Sequence, residues 1–255
     1  MSQHVQEPSD GHASAAADLD RRLAQLPSLE ARLAEVGQMA PRLVAFSSSL
    51  GIEDQAILHA IAAAGAEVDV FTLDTGRLFP ETVDTIVRSE QRYALRIRVV
   101  APEAADVEAL VARDGVMGFR LSIEARKACC EVRKVRPLKR ALAGAGSWIT
   151  GLRRGQSAGR SKVSFAVWNP EHRLVKINPL ADWPLDRLEA YIAANDVPVN
   201  PLHAQGFPSI GCQPCTRAIR AGDDVRAGRW WWENEDGKEC GLHATPRRLR
   251  QEAAA

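Results

Sequence analysis

Long apolar runs are missing from this 255-residue chain. Nothing approaches the roughly 18 consecutive apolar residues of a membrane-spanning helix. The N-terminus has no basic-then-apolar leader of the secretory kind, so a cytoplasmic protein with no membrane partner is expected. A dominant charge is missing too: 33 basic residues stand against 32 acidic ones, a net of +1. No global field draws such a chain to nucleic acid, and any anion binding must rest on local clusters. Lysine is scarce, confined to positions 127, 134, 139, 162, 176 and 238, which leaves 27 arginines. Arginine suits bidentate contacts to phosphate or sulfate. A genome rich in Arg and Ala codons accounts for the same total, so only the placement of the arginines carries meaning. Neither a Walker A loop nor a GxGxxG turn occurs. The composition is 45% hydrophobic and 25% charged, ordinary for a globular protein and too apolar for wholesale disorder.

Residues 1–18 are polar and Ala-rich without periodicity, and read as a disordered leader. Leu23, Leu26, Leu29, Leu33 and Val36 then recur at three- and four-residue steps, an amphipathic helical segment interrupted at Pro27. Residues 43–46 read as a buried strand that runs into Ser47-Ser48-Ser49-Leu50-Gly51, with a helix from near Glu53 to Gly65. Residues 68–73 form a second strand, followed by Asp74-Thr75-Gly76-Arg77 and a helix opening near Pro80. Residues 97–100 and 148–151 are further strands, with helices between. This alternation predicts an α/β domain over 19–200, a mostly parallel sheet with helices on both faces. From Pro201 onward Gly, Pro, Cys and Arg dominate around Trp230-Trp231-Trp232 without a period. Residues 201–255 therefore read as a Cys-bearing C-terminal appendage, organised by something other than a large core.

Three loops at strand ends carry chemistry. Ser47, Ser48, Ser49 and Gly51 stand between a strand and a helix, where free backbone N–H groups and the helix dipole attract an anion; the plainer reading is a polar turn capped by Asp54. Leu73-Asp74-Thr75-Gly76-Arg77-Leu78 lies at a strand's carboxyl end, the side on which open α/β sheets bind ligands. Gly151-Leu152-Arg153-Arg154-Gly155-Gln156, with Arg160 and Lys162 close behind, places four cations after a strand, in a loop that either closes over a polyanion or is simply solvated. Such loops at neighbouring strand ends point to one site.

Five cysteines, an odd number, in a reducing compartment argue against a disulfide framework. Adjacent Cys129-Cys130 and Cys212-x-x-Cys215 form a metal-site pattern. Zinc usually takes two C-x2-C pairs, with room for tetrahedral angles. Adjacent cysteines space their sulfurs awkwardly for one ion and suit two irons of one cube, so an iron–sulfur cluster is favoured over zinc. Arg126, Lys127, Arg133 and Lys134 flank the pair and would offset a cluster's negative charge, unless they form a solvated helix face. Cys240 stands between Gly237 and Gly241, with Lys238 and His243 to favour its thiolate and Glu239 to oppose it.

Taken in order, SSSLGIED (47–54), LDTGRL (73–78), GLRRGQ (151–156), the CC…CxxC set and ECGLH (239–243) resemble the assimilatory sulfonucleotide reductases. The specific likeness is to the iron–sulfur adenylyl-sulfate reductases, and it runs from about residue 40 to 245. The resemblance implies a Rossmann-like adenine nucleotide α-hydrolase (PP-loop) fold and one [4Fe–4S] cluster per chain on Cys129, Cys130, Cys212 and Cys215. It also implies reduction of adenylyl sulfate to sulfite and AMP, in sulfate assimilation and cysteine biosynthesis. In that reaction the Cys240 thiolate attacks sulfur, AMP leaves, and reduced thioredoxin (or glutaredoxin) resolves the S-sulfocysteine. A Gly-flanked Cys near the C-terminus suits a nucleophile that must swing in and then present its adduct to a protein reductant. By motif position, Ser47, Ser48, Ser49, Gly51 and Asp54 face the phosphosulfate and Leu73 the adenine. Arg153, Arg154, Arg160, Lys134, Arg226 and Arg229 are the candidates for stabilising the leaving phosphate, and Gly151 is a further substrate-binding position.

Many family members read Ser-Phe-Ser-Gly-Ala-Glu-Asp at the first loop, so the spacing here leaves open which of the three serines makes the contact. Gly155 stands where an acidic residue is common. The chain is compatible with a homo-oligomer. Three rival readings stand beside this one. The first is a 3′-phosphoadenylyl-sulfate reductase on the same scaffold. The second is an ATP-consuming PP-loop enzyme such as a tRNA thiolase, against which the near-neutral charge argues. The third is a non-catalytic regulator whose cysteines hold zinc or a sensing cluster. The triple Trp reads as a shield for the cluster or the catalytic segment, as a thioredoxin docking face, or as core packing.

Overall fold

The computed structural model describes residues 9–38 and 43–233. Eight α-helices and six strands alternate along them: α1 (Ser9–Gln25), α2 (Leu29–Gly37), β1 (Val44–Ser47), α3 (Ile52–Ala64), β2 (Asp69–Leu73), α4 (Pro80–Tyr93), β3 (Arg98–Val100), α5 (Ala104–Asp114), α6 (Ile123–Cys130), α7 (Arg136–Ala141), β4 (Ser147–Ile149), β5 (Ala166–Asn169), β6 (Leu174–Ile177) and α8 (Leu185–Ala194). The local signals act where the sequence places them. Ser28 caps α2 by accepting the Ala31 N–H, Gly65 closes α3 in the left-handed conformation, and Pro80 opens α4.

The strands form one sheet in the order β3-β2-β1-β4-β6-β5, parallel throughout except for β5. β1 is buried on both sides. Val44 and Phe46 enter one apolar layer with Ile57, Ile61, Ile149, Trp183 and Leu188, while Ala45 enters the other with Phe71, Leu138, Leu142, Trp148 and Leu174. From β1 the chain winds outward through β2 to β3, then returns to lay β4 on the opposite side of β1. The carboxyl ends of β1 and β4 therefore flank the point where the winding reverses, the place where open α/β sheets form a ligand crevice. No helix among the described residues is long and apolar enough to cross a membrane.

One expectation needs correction. Residues 9–18 are helical, so the disordered leader does not extend over them. Alanine favours helix, and Ala16, Leu19 and Leu23 bury one side of α1. α1 packs on β5, where Asp20 accepts the Ala166 N–H at 3.0 Å and His12 stacks on Trp168. The antiparallel β5–β6 hairpin was not foreseen, because two four-residue strands carry too short a pattern to stand out. Beyond Pro201 the described chain holds only two short 3₁₀ turns (Pro201–Gln205 and Gln213–Cys215) and a bridge between Thr216 and Arg229. It is organised by a small cluster of Phe119, Cys212, Cys215 and Trp230, with Cys129 and Trp232 packed against it.

Candidate active site

A cavity of about 440 Å³ opens at the carboxyl ends of β1, β2 and β4. Ser47, Ser48, Ser49, Gly51, Asp54, Leu73, Gly151, Arg153, Arg160, Lys134, Arg226 and Arg229 all line it. The first loop folds back on its own helix: the Ser49 N–H and hydroxyl both donate to Asp54 Oδ2 at 2.6 Å. Burial raises the Asp54 pKa to about 6 against the pull of these bonds. The Ser48 hydroxyl is buried and accepts the Leu50 N–H at 3.1 Å. Ser47 Oγ accepts the indole N–H of Trp148, on the neighbouring strand, at 2.7 Å. Leu73, Leu78 and Leu138 supply apolar wall.

The third loop is tied to the first. Arg153 donates from Nε and Nη2 to Glu53 Oε1 (3.1 and 2.8 Å) and from Nη1 to the Trp183 carbonyl (3.1 Å). Gln156 Nε2 donates to the same Glu53 oxygen and to the Gly151 carbonyl. Gly151 is required at this crossing, since a Cβ would overlap the Asp54 carboxylate and stand 3.0 Å from Glu53 Cβ. Arg153 is thus a clamp between two loops as well as cavity wall. Arg154 is the exception among the expected site residues: it is exposed, donates to the Val163 carbonyl at 2.9 Å, lies over the Phe165 ring and is not part of the cavity wall. Its backbone follows the extended Arg153 into a short turn that directs it outward.

Beside this cavity, Cys129, Cys130, Cys212 and Cys215 line one small void together with Arg77, Arg126, Arg133, Lys134, Arg229, Phe119 and Trp230. All four cysteines are free thiols. α6 ends at Cys130 and passes into a π-helical turn (Glu131–Val135), which aims Arg133 and Lys134 at the thiols. Cys212 Sγ lies 3.3 Å from the Thr75 hydroxyl, and the Thr75 carbonyl accepts from Arg133. Burial pushes the Cys215 thiol up to about 12 and raises Cys129. Cys212 meets the same burial, yet Lys134, the Thr75 hydroxyl, Arg229 and Arg133 bring it below the ordinary thiol value. No group of three His, Cys, Asp or Glu side chains among the described residues is placed to hold a metal ion. Even so, sulfur is the sole donor type around the void and cations ring it, a donor set that fits an anionic iron–sulfur cluster. Lys134, Cys212, Arg229 and Trp230 line both chambers, so the wall between them is one residue thick.

Trp230 is buried between the Arg126 and Arg229 guanidiniums, 4.4 and 4.7 Å from its ring centre. Arg126 also pairs with Glu233 at 2.6 Å, both side chains almost fully buried. Cys240, the expected nucleophile, lies outside the described residues. Sequence reasoning missed Trp148, Gln156 and His203 as cavity residues. His203 is held below its ordinary pKa by burial, and no spacing links it to the loops it faces.

Residues 43–218 match a family model described as the phosphoadenosine phosphosulfate reductase domain. The chain is 54% identical over 227 residues to the adenosine 5′-phosphosulfate reductase of Agrobacterium fabrum, covering 89% of this chain and 86% of that protein. It is 55% identical over 215 residues to the enzyme of the same name from Rhizobium meliloti, covering 84% and 81%. Among solved structures, the phosphoadenylyl-sulfate reductase of Candida auris in its phosphate complex shares the fold, with a TM-score of 0.69 at 24% identity over 81% of this chain and 97% of that one.

Proposed function

The chain belongs to the phosphoadenosine phosphosulfate reductase family, and we propose that within it this protein reduces adenylyl sulfate to sulfite and AMP. The observation that carries the reading is the shared wall: a nucleotide-sized cavity edged with cations abuts a void lined by four thiols. The names of the relatives at 54% and 55% identity support the substrate. The alternative, a 3′-phosphoadenylyl-sulfate reductase, needs additional cations for the second phosphate.

The Cys240 thiolate attacks the sulfur of adenylyl sulfate. The S–O bond to phosphate breaks, AMP leaves with the electron pair, and an S-sulfocysteine remains. A reduced thioredoxin or glutaredoxin thiol then attacks the cysteine sulfur of that adduct, and sulfite departs. A second reductant thiol closes a disulfide and restores the Cys240 thiolate. Lys134, Arg160, Arg226 and Arg229 face the leaving phosphate and stabilise its growing charge. Arg153 works at one remove, because its fork is occupied by Glu53 and holds the third loop against the first. Leu73 packs on the adenine. Cys129, Cys130, Cys212 and Cys215 would hold one [4Fe–4S] cluster, which would supply a compact anionic centre next to the nucleotide cavity. Arg133, Lys134 and Arg229 balance that charge, and the two electrons of the reaction come from thiols. The reaction belongs in the cytoplasm, where free thiols and reduced thioredoxin persist.

The test is sulfite release by anaerobically purified protein, given adenylyl sulfate or its 3′-phosphorylated form with reduced thioredoxin. A higher kcat/KM for adenylyl sulfate, about four irons per chain and loss of turnover in Cys240→Ser are expected. Preference for the 3′-phosphorylated nucleotide would establish the alternative. Iron-free protein that releases no sulfite would sink both.

A further inference from the structure

Three serines stand in the first loop, and their hydrogen bonds divide them. The Ser49 hydroxyl proton is spent on Asp54. Ser48 is 3% exposed and accepts from Leu50. Ser47 is half-buried, borders the cavity and accepts from the Trp148 indole N–H at 2.7 Å. An indole N–H can only donate, so Ser47 Oγ must be the acceptor, and its own proton is left to point elsewhere. With one lone pair occupied from the β4 side, that proton is available to a group in the cavity that Ser47 lines.

Trp148 has little freedom to do otherwise. It is 1% exposed and packed among Ala45, Phe71, Leu138 and Leu174. The Lys176 ammonium lies 4.8 Å over its ring from the next strand, and His172 meets its edge at 5.6 Å. Strand pairing fixes the rest: β1 and β4 are hydrogen-bonded neighbours, with Ala45 opposite Trp148.

We propose that Trp148 is a positioning residue for substrate, its indole N–H fixing the Ser47 hydroxyl as a hydrogen-bond donor to the anionic end of the bound nucleotide. The proposal rests on the reading of this cavity as the adenylyl-sulfate site, and it assigns the contact that the sequence left open among the three serines.

The experiment is equilibrium binding of adenylyl sulfate and of adenosine to the full chain with its cluster, in a Cys240→Ser background that stops the reaction. Ser47→Ala is expected to weaken adenylyl sulfate by roughly 10- to 100-fold, the worth of a hydrogen bond to a charged group. Trp148→Phe, which removes the N–H, should weaken it by about 5- to 10-fold, since the hydroxyl stays but loses its orientation. The double variant should sit within about twofold of Ser47→Ala, because the two residues act through one bond. Ser47→Thr should restore binding, and adenosine, which has no anionic group, should bind all variants alike. Benzothienylalanine at position 148 keeps the indole shape without the N–H and should reproduce Trp148→Phe, which separates the missing bond from looser packing. Unchanged adenylyl-sulfate affinity in both Trp148 replacements, or fully multiplicative losses in the double variant, would overturn the proposal alone. Failure of the Cys240→Ser parent to bind adenylyl sulfate would overturn the reading of the cavity, and the proposal with it.

Discussion

Arg126→Met is the most revealing perturbation of the C-terminal segment. Arg126 sits on the helix that carries Cys129 and Cys130, and its Nε pairs with Glu233 at 2.6 Å, with side-chain exposures of 1% and 5%. The second Glu233 oxygen is already buried without a partner. Removing the guanidinium strands a buried carboxylate, a loss of about 3–5 kcal/mol. The cheapest relief is local. The segment around Trp230 is held by its N–H to the Cys215 carbonyl at 3.1 Å, and Glu233 is held by its N–H to the Trp230 carbonyl at 2.9 Å. Both bonds can break without disturbing the sheet. At about 1.4 kcal/mol per tenfold, the opening equilibrium should rise by roughly two to three and a half powers of ten. Hydrogen exchange followed by mass spectrometry reads this directly, as faster exchange at Trp230 and Glu233 with α3 unchanged. Adding Glu233→Leu should recover most of the lost protection, because exchanging a buried pair for apolar groups is close to neutral. Exchange within threefold of wild type in Arg126→Met would show that the pair anchors nothing.

The pH dependence of stability should carry the signature of Asp54. Burial raises its pKa to about 6 in the folded protein, above the ordinary carboxyl value near 4. Its proton therefore favours the folded state, and wild type should lose stability relative to Asp54→Asn as pH rises from about 4 to about 6, with no further change above 7. Denaturant titrations at several pH values check this, and a difference that grows in favour of wild type over that range would contradict it. Gly151→Ala should cost about 1–3 kcal/mol, a few degrees in Tm, and raise the KM, because a methyl there meets Asp54 and Glu53 and pushes two loops apart. Arg160→Ala should raise the KM for adenylyl sulfate about tenfold or more, whereas Arg154→Ala should leave it within about twofold. Equal effects of the two would mean that Arg154 turns inward when substrate binds.

Much of this arrangement was legible in the chain before folding. Buried parallel strands announce themselves as short apolar runs ending in Gly, Ser and Asp, so β1, β2 and β4 and their loops could be placed, and with them the crevice. The cysteine pairs signalled through chemistry rather than periodicity that they belong together, and they line one void. What stayed hidden was pairing across distance. Nothing in the sequence says that Glu53 meets Arg153, that Ser47 meets Trp148, or that Arg154 turns outward while its neighbour turns in. The first two choices are made by packing at sequence separations near one hundred residues, where no local pattern reaches, and the third by a contact nine residues on that has no periodicity to announce it. The helix at 9–25 was half seen for a related reason: alanine marks helix weakly, and the strand that α1 covers lies some 150 residues on.

That covering helix separates the family match from the folding unit. A fragment trimmed to residues 43–218 would keep all six strands and the four cysteines that line the small void, yet it would discard α1, α2 and the Arg229–Glu233 wall. The outer side of β5 would lose the Asp20 carboxylate that now occupies the Ala166 N–H. It would then present an uncapped strand edge to the next molecule. The opposite edge, β3, is only three residues long and already has Arg98 tied back to Asp69, so it offers little purchase for growth. Association of the trimmed fragment would therefore begin at β5, and solubility would depend on residues that lie outside the match altogether.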